Sequence, residues 1–302
     1  MGISGYDERM IRWQDMIVTK ARLTRVELYL PQLPNGLDGL RIFQFGDLHT
    51  WGFRAPEKRL YNLLQRESYD LLIVSGDLCY PHSIRFWNAD QVTYWDGRIK
   101  MIRRAYVAPE VTRALDVCRK LFADLNPSLG IFAIQGNHDP YYLMQGLSKL
   151  GVQVLDNTTS QLKTKHNVSF NLCGIRCRNR NLADVPAALA SLELHRFTIA
   201  VSHYPEYAEA LAAGGADLIL CGHTHGGQVC LPNGEPVFTH SYTGKKYLYG
   251  LERIGSCAVY TTRGIGSSLL PFRIFCPPEA VHITLFKGDA NRSIIDNDDK
   301  EN

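Results

Sequence analysis

Three side chains that can bind a metal or carry a proton stand side by side at Asn137, His138 and Asp139. They follow LGIFAIQG, an apolar run with the composition of a buried strand. An amide, an imidazole and a carboxylate at the end of a buried strand each need a polar partner, because burial without one is costly. A single cluster of this kind could be an ordinary turn, so its meaning depends on whether the pattern recurs.

Four further apolar runs, LRIFQFG, YDLLIVSG, FTIAVS and ADLILCG, also end in acidic or imidazole side chains. Five of the ten histidines lie at these five ends. One histidine after a strand is usually a loop residue, but this many polar groups at strand ends need a common partner. We therefore predict a metal centre. The residues concerned are Asp47, His49, Asp77, Asn137, His138, Asp139, His203, His223 and His225.

The donor types restrict the choice of metal. Imidazole, carboxylate and amide donors without thiolate suit Mn, Fe, Zn or Co ions. The set is too large for one tetrahedral zinc ion. Two ions about 3.5–4 Å apart that share a bridging carboxylate would use it fully, and such pairs serve in-line phosphoryl transfer. We predict two divalent ions, manganese first, with iron, zinc or cobalt as alternatives. A separate metal site at Cys173 and Cys177 is a weaker alternative, since the chain has no paired CxxC motif.

The elements that must position these residues alternate between strand and helix patterns. Runs that are apolar on consecutive residues predict strands covered on both faces, and helical patterns span Pro56–Glu67 and Pro109–Leu125. In an alternating β/α chain, sites lie beyond the carboxyl ends of the strands. We predict one α/β domain over residues 1–290, with a cap-like insertion near 80–110 and a polar, disordered tail at 291–302.

The order of the motifs, D-x-H, GD, GNHD, a lone His and GHTH, resembles that of the calcineurin-like metallophosphoesterases from Arg41 to Phe286. The resemblance implies an αββα sandwich, with two mixed sheets flanked by helices. It also assigns the residues to two ions by their position in the motifs. The first ion would be held by Asp47, His49 and His225, the second by Asn137, His203 and His223, and Asp77 would bridge them.

The same resemblance gives His138 a part in catalysis. This residue follows a metal ligand without being one, and it would steady the phosphoryl oxygens and protonate the leaving oxygen. Asp139 would accept the second ring N–H of His138 and keep the imidazole basic. The expected reaction is attack of a metal-activated hydroxide on a phosphodiester or a phosphoanhydride.

The C-terminal motifs GHTHGGQVCLP, YLYGL, TTRGIG and PFRIFCPPEAVHITL resemble one bacterial branch of that family, the YkuE-like phosphodiesterases. This branch includes UDP-2,3-diacylglucosamine pyrophosphatases of the LpxG type, which act in lipid A synthesis. The resemblance implies a phosphorylated, acylated nucleotide-sugar as substrate, such as UDP-2,3-diacylglucosamine. The general fold hosts many substrates, so this expectation depends on the branch alone.

Aromatic and basic residues interleave in the insertion near residues 80–110, which reads YPHSIRFWNADQVTYWDGRIKMIRRAYVAPE. One interpretation is a helical insertion with a packed aromatic face and a solvated basic face. The other is a cap beside the metals that binds acyl chains and phosphates, or rests on an anionic bilayer. Arg54 and His82 are candidate phosphate contacts because they follow two motif ends closely, and Arg85 is a third because it is one of the basic residues of the insertion.

Composition excludes several classes of protein. A hydrophobic fraction of 45% and a charged fraction of 21% are typical of a globular protein. The net charge of +3 is too small to indicate a nucleic-acid partner, so none is expected. The N-terminus lacks a secretory signal, and no apolar run is long enough to span a bilayer. With eight scattered cysteines, these features predict a cytoplasmic protein with reduced thiols. The aromatic and basic insertion near residues 80–110 adds, as an alternative, peripheral contact with the cytoplasmic face of the inner membrane.

Other functions use the same residues. A general phosphodiesterase, a nuclease and a protein phosphatase share the chemistry and differ only in substrate. A member of another class would be a protein-binding scaffold that has lost catalysis. Such a chain should lack ligands, whereas every ligand position of the motif is filled here.

Overall fold

Two mixed β-sheets stack on each other in the computed structural model, which describes residues 20–79, 109–177, 184–193, 195–239 and 241–297. The first sheet contains seven strands: β1 (Arg22–Leu30), β2 (Arg41–Phe45), β3 (Leu71–Val74), β4 (Ile131–Ile134), β5 (Gln153–Leu155), β12 (Glu279–Lys287) and β13 (Ile294–Asn297). The second contains six: β6 (Thr158–Lys163), β7 (Ser169–Ile175), β8 (Thr198–Ser202), β9 (Leu218–Cys221), β10 (Gly250–Ile254) and β11 (Cys257–Thr261). Their spatial orders are β13-β1-β12-β2-β3-β4-β5 and β10-β11-β9-β8-β7-β6.

Helices cover the outer faces of both sheets. Those of the described residues are α1 (Ala55–Arg66), α2 (Pro109–Phe122), α3 (Tyr141–Lys149), α4 (Val185–Leu189) and α5 (Ala208–Ala213). The first three pack on the seven-stranded sheet, where Leu60 and Val117 join the cluster around Phe45. The last two pack on the six-stranded sheet, where Ala188 and Leu211 join a separate cluster. The layers are therefore α, β, β and α, as predicted.

Successive side chains of a strand point to opposite faces of the sheet, and both faces are buried here, which explains why the strand sequences are apolar throughout. In β2 and β3, Ile42 and Ile73 point into the core between the sheets, whereas Phe43 and Leu72 point toward the helices. Because both faces of the sheet are buried, the side chains that point to either face must be apolar. Each such side chain contributes about 1.5–3 kcal/mol relative to an exposed one. Burial of both faces fixes the register of the strands, and with it the position of the loops that follow them.

Parallel pairing brings the predicted strand ends together. All five predicted strands form, as β2, β3, β4, β8 and β9. Within the first sheet β2, β3 and β4 are parallel neighbours, and within the second β8 and β9 are parallel neighbours. The carboxyl ends of parallel strands lie at the same edge of a sheet. The two predicted helices also form, within a few residues of the expected bounds.

The predicted disordered tail is wrong over part of its length. A short 3-10 turn at Ala290–Arg292 leads into β13, which pairs antiparallel with β1. Two β-branched residues, Ile294 and Ile295, favour this strand, and β1 offers it an open edge. Residues 298–302 lie outside the described part of the chain, as do most of the predicted cap, His82 and Arg85. No helix of the described residues is long and apolar enough to cross a bilayer.

Candidate metal centre

The strand-end loops carry an unusual backbone conformation. Asp47, His49, Asp77, His223 and His225 all have positive φ angles, between +41° and +72°. Left-handed conformations of residues other than glycine cost about 1 kcal/mol or more each, and they persist only where the surrounding structure enforces them. Five of the residues proposed for the metal centre therefore share a strained backbone conformation, and such residues cluster at functional sites.

A first group of ligand atoms comes from Asp47, His49 and His225, and these atoms lie within 4.8 Å of one another. Nε2 of His49 is 3.1 Å from Nε2 of His225. The same His225 nitrogen is 3.5 Å from Oδ1 of Asp47. All three residues are buried. Two imidazole nitrogens and a carboxylate thus face a common point.

A second group comes from Asp77, His203 and His223, again within 4.8 Å. Oδ2 of Asp77 and Oδ1 of Asn137 lie 3.2 Å and 3.0 Å from Nε2 of His203. Oδ2 of Asp77 is also 3.8 Å from Nε2 of His49, which belongs to the first group. Asp77 consequently lies between the two groups, where a bridging carboxylate would be needed.

Backbone carbonyls orient two of the rings. Nδ1 of His49 is 2.9 Å from the carbonyl oxygen of Cys79, and Nδ1 of His203 is 2.8 Å from that of Ser75. A carbonyl only accepts hydrogen bonds, so each Nδ1 must donate. In the neutral ring Nε2 then keeps its lone pair, directed at the centre of its group.

Burial sets the ionisation of the first group. It raises the pKa of Asp47 to about 7, with the charge of Asp77 acting in the same direction. Burial also lowers the pKa of His49 to about 4 and that of His225 well below its usual value. These two rings are therefore neutral at pH 7 and able to bind a cation.

In the second group, attraction between unlike charges outweighs burial. Burial disfavours the charged form of Asp77, but His203 and His138 lower its pKa well below the usual value. Burial likewise opposes the charge of His203, but Asp77 raises its pKa to about 10. At pH 7 these shifts favour the charged forms of both His203 and Asp77, so an ion that binds His203 would compete with a proton. The donor set of nitrogen and oxygen atoms fits two divalent cations of the Mn, Fe, Zn or Co type.

His138 lies at the rim of this arrangement. Its backbone N–H donates to Oδ1 of Asp77 over 2.8 Å, and its Nε2 is 4.0 Å from Oδ2 of the same residue. The ring packs edge-on to His49, with ring centroids 5.2 Å apart. The side chain retains 13% exposure, whereas that of His49 has none. A molecule entering from solvent can therefore reach His138.

The described hydrogen bonds of the Asp139 carboxylate go to the backbone, and the predicted bond to the ring of His138 is not among them. The carboxylate accepts four backbone N–H groups, over distances of 2.7 to 3.1 Å. The donors are Gly136, Asp77, Leu78 and Cys79. Both oxygens are used, because the loop after β3 otherwise leaves these N–H groups buried without partners. Burial and the charge of Asp77 raise the pKa of Asp139 to about 6. Asp139 thus fixes the backbone of the loop after β3 at Asp77, the candidate bridging residue.

The remaining candidates lie around this centre or outside the described residues. Arg54 is exposed and precedes α1, where its backbone N–H donates to Glu57. Cys173 and Cys177 are buried free thiols, and neither of the two ligand groups found in the described residues contains a cysteine.

The sequence interpretation overlooked two buried polar residues beside His225. Arg273 is 1% exposed, and its Nη2 lies 3.1 Å from Nδ1 of His225. Gln228 is also 1% exposed; its amide accepts the backbone N–H of Ser268 and donates to carbonyls of the same segment. The available signal was an arginine flanked by apolar residues in PFRIF, a position where a charge must be buried or paired.

Comparison with known proteins supports the same assignment. Residues 40–227, more than half of the chain, match the family model of the calcineurin-like phosphoesterases. The metallophosphoesterase YkuE of Bacillus subtilis is 27% identical over 260 residues, covering 84% of this chain and 81% of that protein. The phosphodiesterase YaeI of Escherichia coli is 35% identical over 162 residues, covering 51% and 57%.

A further relative has a more specific name. UDP-2,3-diacylglucosamine pyrophosphatase LpxG of Chlamydia muridarum is 25% identical over 301 residues, covering 85% of this chain and 87% of that protein. The family match includes the loops after β2, β3, β4, β8 and β9, and these loops carry both ligand groups. The chain therefore belongs to the calcineurin-like phosphoesterases, a family of metal-dependent hydrolases of phosphoric esters.

Proposed function

We propose that the protein is a two-metal hydrolase that cleaves a phosphodiester or phosphoanhydride in a lipid-linked nucleotide. One observation carries the catalytic part of this proposal: Asp77 lies within 4 Å of imidazole nitrogens from both ligand groups. Both contacts are made by Oδ2 of Asp77, which could therefore face both cations, whereas Oδ1 accepts the backbone N–H of His138. Bound there, two divalent ions would supply Lewis acidity and lower the pKa of a water molecule.

In this proposal the first ion is held by Asp47, His49 and His225 and the second by Asn137, His203 and His223. Manganese is the proposed metal, since imidazole and oxygen donors without thiolate suit it. The carbonyls of Cys79 and Ser75 accept the Nδ1–H groups of His49 and His203, which leaves Nε2 of each ring as the nitrogen that can bind an ion. At His203 the ion would first have to displace a proton from Nε2, because the pKa of this ring is raised to about 10.

His138 is the proposed general acid. Its ring is close to Asp77 but retains access to solvent, so it can contact a phosphoryl group that enters the site. In the protonated form it would donate a hydrogen bond to a phosphoryl oxygen and pass the proton to the leaving oxygen. Asp139 acts in this proposal through the backbone of the loop after β3 rather than through His138.

Exposed apolar side chains support a lipid-linked substrate. Trp51, Tyr141 and Leu269 are 36%, 51% and 71% exposed. They follow closely on His49, on Asp139 and on Gly266, whose N–H donates to the carbonyl of Asp47. Exposed large apolar side chains next to a candidate site are suited to contact with apolar ligands. In this proposal acyl chains, or the membrane that contains them, would contact these three side chains.

The substrate test uses purified protein loaded with Mn²⁺ and a panel of four phosphates: UDP-2,3-diacylglucosamine, UDP-N-acetylglucosamine, bis-p-nitrophenyl phosphate and single-stranded DNA. We expect release of UMP from the acylated nucleotide at a higher kcat/KM than for any other compound. Equal rates on both nucleotide-sugars would contradict the lipid part. Cleavage of the diester alone would make the protein a general phosphodiesterase, and a metal-free, inert protein would favour a scaffold.

We also propose a cytoplasmic location at the inner face of the membrane. All eight cysteines are buried and unpaired, which suits a reducing compartment. Arg54 remains a proposed phosphate contact, because it is exposed and follows His49 by five residues. Flotation with anionic vesicles tests the membrane contact, and an Arg54→Ala variant should raise KM more than it lowers kcat.

A further inference from the structure

Arg273 is a buried cation behind the first ligand group. It is among the largest fully buried side chains of the described residues, at 1% exposure. Burying a guanidinium is costly unless its N–H groups are satisfied. The neighbouring Ile274 forms a bridge with Val229, which places this segment beside the loop after β9. The surrounding segments must therefore supply hydrogen-bond acceptors for this guanidinium.

The guanidinium joins two loops through their backbone carbonyls. Nε donates to Gly266 over 2.8 Å, and Nη1 donates to His225 over 3.0 Å. Nη2 donates to Arg263 over 2.6 Å and to Gly264 over 3.3 Å. Three of these acceptors belong to the loop after β11, and the fourth belongs to a candidate metal ligand. A planar group with donors on three nitrogens can hold both loops at once.

The loop after β11 is fixed in turn to the loop after β2. Gly266 donates its N–H to the carbonyl of Asp47 over 2.7 Å, and Ile265 donates to that of Gly46 over 3.1 Å. A Cβ atom at Gly264 would lie 2.4 Å from Cβ of Asp47, so the two segments are in close contact. Arg273 consequently connects the backbone of Asp47 with that of His225, two members of the first ligand group.

The guanidinium also supports the ring of His225. Nη2 is 3.1 Å from Nδ1, while Nε2 of the same ring faces His49 and Asp47. The ring cannot turn toward the side that the guanidinium occupies. The guanidinium only donates, so Nδ1 of His225 accepts, and the proton of the neutral ring lies on Nε2. His49 and His203 have the opposite arrangement, because a backbone carbonyl accepts their Nδ1–H. An ion bound at Nε2 of His225 would displace that proton, so the backbone contacts of Arg273 carry its positioning role.

We propose that Arg273 is a positioning residue for the first of the two ions, holding Asp47 and His225 in the arrangement that binds it. This inference rests on the proposed two-metal function. The second group, Asp77, His203 and His223, has no contact with the Arg273 side chain among the described hydrogen bonds, so its affinity for metal should not depend on Arg273.

A competing effect must be separated from positioning. The positive charge of Arg273 repels a nearby cation, so charge alone would make its removal strengthen metal binding. Arg273→Lys keeps the charge but loses the planar set of donors. Arg273→Gln loses both the charge and most of the hydrogen bonds. If positioning dominates, both variants should bind the first ion more weakly than the wild type. If charge dominates, only Arg273→Gln should change the affinity, and it should bind the ion more tightly.

The experiment titrates metal-free full-length protein with Mn²⁺, followed by calorimetry and by electron paramagnetic resonance. Wild type should bind two ions per chain with a spin-coupled signal. In both variants we expect roughly 10–100-fold weaker binding of one ion, the other being unchanged. The coupled signal should disappear at Mn²⁺ concentrations that saturate the wild type. Arg263→Gln is the matched control: this arginine pairs with Glu279 at 3.6 Å, and its variant should keep both ions.

Thermal unfolding of the metal-free variants shows whether they fold. If Arg273→Gln does not fold, the metal titration of Arg273→Lys tests the inference. Two ions bound with wild-type affinities in Arg273→Lys would overturn the inference, as would tighter binding in Arg273→Gln. Equal weakening of both ions would also overturn it, because positioning should affect one group alone. A wild type that binds no Mn²⁺ would contradict the two-metal function itself, and the inference with it.

Discussion

At the scale of single residues, Asp77 and His138 are neighbours with different expected tasks. Asp77 lies between the ligand groups, whereas His138 lies at their rim with partial exposure. We expect His138→Ala to keep both ions and to lose roughly 10²–10⁴-fold in kcat, because it removes a proton donor alone. Asp77→Ala should lose metal as well. Metal content and hydrolysis of bis-p-nitrophenyl phosphate measure the two effects.

His282→Ala is the control for this pair of variants. His282 is also a buried histidine, but its Nε2 contacts the carbonyl of Ser68. It should retain both metal and rate. Identical losses of metal and rate in Asp77→Ala and His138→Ala would contradict the division of labour between them.

Asp139 is the residue whose role changed most between sequence and structure. Its carboxylate accepts four backbone N–H groups, and Asp139→Asn would direct an amide N–H₂ group at some of them. Since hydrogen bonds to a charged group contribute about 1.5–3 kcal/mol each, we expect a loss of about 3 kcal/mol or more in the free energy of unfolding. Urea unfolding of the metal-free protein measures it. Unchanged stability combined with a lower kcat would instead support the contact between Asp139 and the ring of His138 that the sequence predicts.

The buried acid and imidazole groups predict a pH-dependent metal affinity. The pKa of His203 is raised to about 10, and that of Asp47 is raised to about 7. Below these values a proton occupies the donor and competes with the metal. Affinity should therefore rise with pH, by roughly tenfold per pH unit for each proton released. Calorimetry in buffers of different ionisation enthalpy should count about two protons at pH 6 and about one at pH 8. A pH-independent affinity would contradict this.

At the scale of elements, the loops at the strand ends approach each other too closely for larger residues. A Cβ atom at Gly136 would lie 2.2 Å from Oδ1 of Asp77. We expect Gly136→Ala to displace Asp77, to destabilise the fold by about 1–3 kcal/mol and to weaken binding of both ions. Metal titration and thermal unfolding measure these effects.

Gly215→Ala separates a clash from backbone strain. Gly215 has a φ of +95°, but its added Cβ would meet no atom within 4 Å. This variant should lose about 1 kcal/mol through strain and keep its affinity for metal. If both variants lost metal equally, general destabilisation would explain the result for Gly136→Ala.

The elements also show what could be predicted from sequence. Polar residues after β2, β3, β4, β8 and β9 were recognisable, because parallel strands must end at the same edge. The contact of Asp139 with distant N–H groups was not, since hydrogen bonds between a side chain and a remote backbone leave no periodic pattern. Arg273 was missed for the same reason, and β13 was missed because short polar segments near a terminus usually fray.

At the scale of the whole molecule, both ligand groups draw donors from both sheets. Asp47, His49 and Asp77 follow strands of the seven-stranded sheet, while His203, His223 and His225 follow strands of the six-stranded sheet. A bound ion must therefore resist separation of the sheets. At a hundredfold excess over Kd, one ion adds about 2.7 kcal/mol. At roughly 2–4 °C per kcal/mol, Tm should rise by about 5–10 °C. Equal Tm values in EDTA and in Mn²⁺ would contradict binding of the ions to the folded protein.

The placement of donors on both layers has a consequence for the living cell. Proteases act on chains that open transiently, and the frequency of opening falls as the folded state gains free energy. A cell starved of divalent ions would hold this protein in its more easily degraded form. The supply of divalent ions would then affect the lifetime of the protein in addition to its catalytic rate.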